Sequence, residues 1–163
     1  MPGVRCTIVE LCVFKRTESG PLFLALKRSL SESLYPGMWQ IITGKIRKAE
    51  KASTAALREL REETGLLARR FWVAPVVDSF YSLPDDAVEM CPVFAVEVAA
   101  SAEPIISNEH QKYEWVTFER TRTLLVWPGH HEAIRVVHDY IVSGTEAARL
   151  TEIKLRVKER KTK

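Results

Sequence analysis

One strongly helical segment with strand-like runs on both sides constrains the fold of this chain more than any other feature. Residues 53–64, STAALRELREET, are mostly good helix formers, and Gly65 follows at the position where a helix commonly ends. We expect Ser53 or Thr54 to lie near the start of this helix. β-branched and aromatic residues dominate five other runs, namely 4–14, 21–29, 71–83, 89–100 and 113–118. Together with a second helical pattern over 132–142, which follows a predicted chain break at Pro128, they predict an α/β sandwich.

Chain length and cysteine usage limit the class of protein. With 163 residues, 46% of them hydrophobic, the chain can build one domain with a real core but has no room for a second domain of ordinary size. Three cysteines without a CxxC pair argue against a disulfide framework and against a tetrahedral zinc site. The first apolar run contains Glu10, and no run approaches the length of a membrane span. We therefore expect a cytoplasmic protein without a membrane partner.

The positive charge of the chain is concentrated at its end. The formal net charge is +3, but residues 154–163 carry six Lys or Arg against one Glu, so the rest of the chain is slightly acidic. We interpret residues 1–144 as the domain and residues 145–163 as a basic helical extension. Nucleic acid is not the expected partner, although a nucleic-acid-binding arm is an alternative interpretation of the extension.

Three acids lie close together on the central helix. Glu59, Glu62 and Glu63 fall within five positions, and at 100° per residue they share a stripe away from the apolar side, so we expect all three to face out of the core. The plain alternative is a solvated helix face on which Arg58 pairs with Glu62. That alternative leaves the repulsion of Glu59 by the other two acids unexplained, at about 0.2–0.5 kcal/mol for each pair. A divalent cation would turn this repulsion into binding.

The type of donor indicates which cation. Clustered carboxylates without a neighbouring Cys or His are hard oxygen ligands, which suit Mg²⁺ or Mn²⁺ better than zinc. Mg²⁺ held by a few carboxylates keeps several waters and accepts phosphate oxygens from a substrate. The cluster therefore favours phosphate chemistry.

The spacing of nine residues around these acids resembles a known family. Gly44, Glu50, Arg58-Glu59-Leu60, Glu62-Glu63 and Gly65-Leu66 resemble the complete signature of the Nudix hydrolases. A chance match of all nine positions has odds on the order of 10⁻⁷. The resemblance extends roughly over residues 6–142 and implies an α/β/α sandwich with a mixed β-sheet. It also implies Mg²⁺-dependent hydrolysis of a diphosphate bond in a nucleoside diphosphate linked to another group.

The resemblance assigns roles position by position. Glu59, Glu62 and Glu63 would be the metal ligands, helped by the backbone carbonyl of Gly44, while Arg58 would orient them and Glu50 would join that network. Glu109, in the run NEHQKYEW, resembles the loop glutamate that positions or deprotonates the attacking water in some Nudix subfamilies. An ordinary surface acid is the alternative for Glu109.

Two positions depart from residues that family members often carry. Arg47 stands where a glutamate is common, and Ala49 stands where a glycine is common. Neither belongs to the fixed signature. A basic loop at this point could contact substrate phosphates or weaken a peripheral metal site, so the number of metals stays open.

Two short runs resemble different substrate branches. WQIITG, residues 39–44, resembles the entrance to the metal loop in the dihydroneopterin triphosphate and dATP pyrophosphohydrolases, whereas NEHQKYEW resembles the asymmetric diadenosine tetraphosphate hydrolases. We favour the first, with a monophosphate and pyrophosphate as products. The expected substrate contacts are Lys27 and Arg28 for phosphates, and Trp39, Phe80 and Tyr81 for a base.

Alternative roles exist for these residues and for the whole domain. The two basic residues could be ordinary strand-end charges, and the aromatic side chains could belong to the core. The histidines are expected to be structural or on the surface. A Nudix-fold module that binds a nucleotide or RNA without cleaving it is the alternative of another class, although the intact acids favour an enzyme. A homodimer stays open.

Overall fold

The computed structural model describes residues 1–155, and within that range the chain forms one eight-stranded mixed sheet with helices on both faces. The strands are β1 (Gly3–Arg5), β2 (Ile8–Thr17), β3 (Gly20–Arg28), β4 (Trp39–Gln40), β5 (Ile42–Lys45), β6 (Arg70–Ser82), β7 (Ala87–Glu97) and β8 (His110–Val116). The helices are α1 (Ala52–Thr64), α2 (Phe118–Leu124), α3 (Pro128–Val136) and α4 (Glu146–Thr151), and a π-helical segment (Val137–Val142) follows α3.

The sheet opens between its two central strands. β2 and β3 form an antiparallel hairpin in which Phe14 faces Phe23, and β2 runs parallel to β7. The first half of β2 pairs with β5 rather than with β3, and the end of β3 pairs with β4. β8 flanks β3 on its other side. The opening brings the end of β5, at Gly44, to the place where the chain enters the segment before α1.

Alternation along the strands creates two separate cores. Val9, Leu11 and Val13 of β2 pack with Ala55, Ala56 and Leu60 of α1 on one face. Cys12 and Phe14 point to the other face and pack with residues of α3, the π-helical segment and α4. Because successive side chains of a strand point to opposite faces, one apolar strand can serve both layers. This arrangement confirms the predicted α/β/α sandwich with a mixed sheet.

Helix boundaries differ from the sequence prediction at one point, the start of α3. α1 begins at Ala52, so Ser53 and Thr54 lie in its first turn as expected, and among the described residues the side chain of the N-cap residue Lys51 makes no capping hydrogen bond. Gly65 does end the helix, with a φ of 66°. Pro128 begins α3 rather than breaking the chain, because the first position of a helix needs no N–H donor and suits the fixed φ of proline.

Helix α2 has no counterpart in the sequence prediction. It occupies seven residues between β8 and α3, and the side chain of Thr117 caps its start by accepting a hydrogen bond from the Arg120 N–H. An apolar period cannot be established over so short a helix. Its position was therefore invisible to pattern analysis.

The segment after α4 is attached to the sheet. Glu152 forms a β-bridge with Trp72, and the Ile153 N–H donates to the Phe71 carbonyl at 2.7 Å. Ile153 and Leu155 pack against the core under α1. In the predicted extension, residues 146–151 are helical, and residues 156–163 lie outside the described part of the chain.

Two further expectations can be compared with the described residues. Among residues 1–155, Cys6 is an exposed free thiol, and Cys12 and Cys91 are buried free thiols. No helix in that range is both long enough and apolar enough to cross a membrane.

Candidate metal and phosphate site

Arg58 is the centre of the acidic cluster on α1. Its Nε and Nη2 donate to the two carboxylate oxygens of Glu50 at 2.9 Å each, and Nη2 also donates to the Lys45 carbonyl at 2.8 Å. Its Nη1 donates to Glu59 at 2.6 Å and to Glu62 at 3.0 Å. All five N–H donors of the guanidinium are therefore used. The hydrogen bonds from Arg58 and from the Arg47 backbone lower the pKa of Glu50 to about 2.

Glu59 lies directly over Gly44. A Cβ atom placed on Gly44 would lie 2.1 Å from the Glu59 Cγ, so glycine is required for the approach. Burial raises the pKa of Glu59, and the contact with Arg58 opposes that rise. Only 13% of the Glu59 side chain is exposed. The structure therefore places a largely buried carboxylate against the backbone of Gly44, the first residue of the signature.

Glu62 is the exposed member of the cluster. Its side chain is 48% exposed and lies between two guanidinium groups, because Arg47 Nη2 donates to its oxygens at 3.1 and 3.2 Å. Arg47 is one of the two departures from the family pattern, so this departure supplies a competing cation at the acid. Ala49, the other departure, adopts a φ of 60°, which favours glycine.

Glu63 does not face out of the core, and the expectation that all three acids do so is wrong. Its side chain is 4% exposed, because it lies seven positions after the buried Ala56 and therefore on the same side of the helix. Its Oε2 lies 2.8 Å from the Nε2 of His110. Burial raises the pKa of Glu63 to about 7, while the hydrogen bond to His110 opposes that rise.

Glu109 approaches the same cluster from the loop before β8. It is exposed, and its negative charge is close enough to raise the pKa of both Glu59 and Glu63. Its backbone carbonyl accepts a hydrogen bond from the Ser29 N–H at 2.8 Å. The structure thus brings Glu109 to the acids of α1, and its role towards water stays a prediction.

The donors of this cluster fit a hard divalent cation. Glu59 and Glu62 are held by the same nitrogen of Arg58, and Gly44 leaves the space that Glu59 occupies. In residues 1–155 no three His, Cys, Asp or Glu side chains converge as a metal site, and Arg58 and His110 engage the carboxylates of the cluster. A cation would therefore compete with Arg58 for two carboxylates whose chemistry suits it.

The candidate substrate contacts divide into two groups. Lys27 lies opposite Trp39 in the β3–β4 pair, with its Nζ 5.9 Å from the ring centroid. Arg28 is engaged locally, because it donates to Glu32 at 2.9 Å and to the Leu34 carbonyl at 2.7 Å. Lys112 of β8 was not predicted, and its Nζ lies 5.8 Å from the same Trp39 ring. A half-buried aromatic ring therefore lies beside two ammonium groups.

Phe80 and Tyr81 lie elsewhere in the sheet. Both are exposed on β6, which is separated from β3 by β7 and β2. The Tyr81 hydroxyl donates to Asp86 at 2.8 Å. The structure does not bring these two rings to Trp39, and their contact with a base stays a prediction.

The most informative residue missed by sequence analysis is His110. It was grouped with the structural or surface histidines, yet it contacts Glu63 across 47 positions of sequence. Its adjacency to Glu109 was the one available signal. A single histidine at the start of a strand carries no periodicity from which its partner could be inferred.

Comparison with known proteins identifies the family. The NUDIX domain profile matches residues 7–140, so the chain belongs to the NUDIX domain family. An octanoyltransferase from Myxococcus xanthus is 35% identical over 107 residues, which cover 61% of this chain and 28% of that protein. An isopentenyl-diphosphate Delta-isomerase from Salmonella heidelberg is 33% identical over 118 residues, which cover 68% of this chain and 63% of that protein. The chain thus spans less than two thirds of either relative.

Solved structures share the fold at low identity. A NUDIX hydrolase from Listeria monocytogenes superposes with a TM-score of 0.71 at 24% identity, covering 83% of this chain and 93% of that one. An Ap4A hydrolase from C. elegans gives 0.70 at 16% identity, covering 85% and 99%. The dihydroneopterin triphosphate pyrophosphohydrolase of E. coli gives 0.66 at 19% identity, covering 83% and 96%. The family match supports the prediction of a hydrolase, while these solved structures show the shared fold alone and leave the substrate open.

Proposed function

We propose that this protein is a Mg²⁺- or Mn²⁺-dependent pyrophosphohydrolase that cleaves a diphosphate bond in a substrate resembling a nucleoside triphosphate, of the dATP or dihydroneopterin triphosphate type. The products would be a monophosphate and pyrophosphate. One observation carries the proposal: one nitrogen of Arg58 holds both Glu59 and Glu62, Glu59 lies over Gly44, and Glu109 on a separate loop is close enough for its charge to act on Glu59. Hydrolysis of a phosphoanhydride bond is promoted by such a cation site with a base nearby.

Each residue of the cluster has a distinct part in the proposed reaction. Glu59, Glu62 and Glu63 would hold the cation together with the Gly44 carbonyl. The cation, when bound, neutralises phosphate charge and acidifies water. Arg58 keeps Glu59 in place through Nη1 and anchors itself on Glu50, whose lowered pKa keeps that carboxylate ionised. Glu109 would orient the attacking water or accept its proton.

The other end of the substrate would lie along β3 and β4. Lys27 and Trp39 are directly opposite each other in that pair, and only four residues separate Trp39 from Gly44. An ammonium group and an aromatic ring beside the metal loop suit a phosphate chain and a purine or pterin ring. Arg28 would join these contacts once it releases Glu32, whereas Phe80 and Tyr81 on β6 would contact a base only in a substrate that also reaches that part of the sheet.

The rival substrate is diadenosine tetraphosphate, split asymmetrically into ATP and AMP. The run NEHQKYEW supports it, and the C. elegans Ap4A hydrolase shares the fold. Both substrates would use the same acids, so substitutions on α1 cannot separate them. A non-catalytic nucleotide- or RNA-binding module would bind without turnover.

A panel assay under one Mg²⁺ condition tests these alternatives. We would measure kcat/KM for dATP, dihydroneopterin triphosphate and diadenosine tetraphosphate, and identify products by chromatography. Isopentenyl diphosphate belongs in the panel because relatives carry the isomerase name, and isomerisation would release no phosphate. A tenfold preference for the dinucleotide, about 1.4 kcal/mol, would overturn the triphosphate proposal. Binding without hydrolysis of any compound would support the non-catalytic module.

A further inference from the structure

A buried carboxyl–imidazole pair joins the metal helix to the loop that carries Glu109. The Glu63 Oε2 and the His110 Nε2 lie 2.8 Å apart, with side chains that are 4% and 1% exposed. In the described residues, the other ring nitrogen of His110 is buried without a hydrogen-bond partner. The orientation of the ring therefore depends on its contact with Glu63.

The backbone reinforces this contact on the side of α1. The last carbonyls of a helix lack partners within the helix. Here the Ser107 N–H donates to the Glu63 carbonyl and the Ile105 N–H donates to the Thr64 carbonyl, each at 2.9 Å. The loop is thus tied to Glu63 twice, once through its backbone and once through its side chain.

The same loop is tied to β3 at its other end. His110 faces Arg28 in the β3–β8 pair, and the Gln111 side chain donates to the Arg28 carbonyl at 2.8 Å. The Ser29 N–H donates to the Glu109 carbonyl. Glu109 is consequently held by its own backbone carbonyl and by His110, the next residue in the chain, which contacts Glu63.

We propose that His110 is a positioning residue that holds Glu63 in one conformation and at a fixed distance from Glu109. Glu63, as a metal ligand, and Glu109, as the base, then keep a constant separation. This inference rests on the proposed function and deepens it. The hydrogen bond holds whichever of the two groups carries the proton. Residues that orient metal ligands from behind commonly change metal affinity or activity by about 10- to 100-fold when replaced.

Two amide substitutions of His110 distinguish loss of the hydrogen bond to Glu63 from a change in the size of the side chain. In His110→Gln the amide nitrogen can occupy the position of Nε2 and still donate to Glu63. In His110→Asn the amide reaches only the position of Nδ1, so Glu63 loses its partner. We expect His110→Asn to weaken Mn²⁺ binding by about 10- to 100-fold and to lower kcat, and we expect His110→Gln to stay within about threefold of the wild type.

Mn²⁺ titration followed by electron paramagnetic resonance gives a readout that does not require turnover. His131→Asn is the matched control, because the His131 Nε2–H also makes a hydrogen bond, donating to the Leu125 carbonyl at 2.7 Å, and His131 lies on α3 at the opposite face. It should leave Mn²⁺ affinity unchanged. If His110→Asn does not fold, His110→Leu keeps the apolar volume and replaces it in the comparison.

Defined results would overturn the proposal. Wild-type Mn²⁺ affinity in a folded variant that lacks the contact would do so, and so would equal losses in His110→Gln and His110→Asn. A wild-type protein that binds Mn²⁺ yet hydrolyses no compound of the panel would refute the proposed function, while the Mn²⁺ affinities would still decide the role of His110.

Discussion

The two faces of the sheet each carry a cluster of acids, and the clusters differ in what neutralises them. On the α1 face, Arg58 donates all its hydrogen bonds to the acids and one carbonyl around it. On the opposite face, Glu10 of β2 is buried, and its closest basic group within residues 1–155 is His130 of α3, at 3.5 Å. In that same range the second oxygen of Glu10 has no hydrogen-bond partner.

Both clusters nevertheless use the same packing device. A carboxylate lies against a glycine in each, with Glu59 over Gly44 on one face and Asp78 over Gly129 on the other. The difference lies in ionisation. Burial raises the pKa of Glu10, the contact with His130 opposes that rise, and Asp78 adds to it. Acids beside an arginine can stay charged and accept a cation, whereas a desolvated acid without a strong base favours its neutral form.

The largest expected effect is a loss of turnover when an acid of α1 is replaced, with no comparable loss when Glu10 is replaced. Glu62→Gln or Glu63→Gln keeps side-chain size but removes a charge that holds the cation, so we expect turnover to fall by at least about 10⁴-fold at limiting Mg²⁺. Glu10→Gln is the control and should remain within about threefold of the wild type. Near-normal turnover of Glu63→Gln under these conditions would remove it from the metal site.

Substitution of Glu109 tests whether the acids near α1 all bind the cation or whether one of them acts on water. If Glu109 handles the attacking water, Glu109→Gln should lower kcat by about 10²- to 10⁴-fold and leave Mn²⁺ affinity close to the wild-type value. The two quantities are measured on the same preparation. An unchanged kcat would return Glu109 to an ordinary surface acid.

Gly44 and Gly129, which each lie against a carboxylate, give the third test. In Gly44→Ala the new methyl would meet the middle of the Glu59 side chain at 2.1 Å, so the acid must leave its position, and we expect kcat/KM to fall by about 10- to 100-fold. In Gly129→Ala the methyl would meet the carboxyl group of Asp78 at 2.0 Å, on the face of the sheet away from the α1 acids, and alanine favours the helix. Activity should then be retained. Equal losses in both variants would show that the two contacts are equivalent.

The smallest effect is a pH dependence of stability. Because burial raises the pKa of Glu10 in the folded state, its contribution to stability is complete below the unfolded value of 4.5 and is lost as pH rises through the folded value. Glu10→Gln removes this loss. We expect the variant to become more stable relative to the wild type as the pH is raised from 4 to 8, in urea unfolding. Parallel profiles for both proteins would contradict the raised pKa.

Local spacing explains which parts of the site could be predicted. Gly44, Arg58 and Glu59 follow from a fixed sequence interval, and the helix that carries the last two was recognised by its composition and its terminal glycine. The burial of Glu63 was not predicted because it was placed on one stripe with Glu59 and Glu62, although it also lies seven positions after the buried Ala56.

Long-range contacts account for what could not be predicted. The partner of Glu63 is a histidine on another element, and the loop amides that meet the end of α1 come from residues more than 40 positions away. Register between β3 and β8 decides those contacts. No repeat or period within the chain encodes which histidine will face which acid.

The bridge between Glu152 and Trp72 has a consequence for how molecules of this protein meet one another. β6 pairs with β7 along one side only, and a strand edge with unpaired amides is a template for another chain. Within residues 1–155 the segment after α4 covers that edge beside Phe71 and Trp72, and a register shift around Pro75 distorts the next stretch. The segment after α4 therefore blocks part of this edge from pairing with a strand of another molecule, and we expect removal of that segment to favour aggregation.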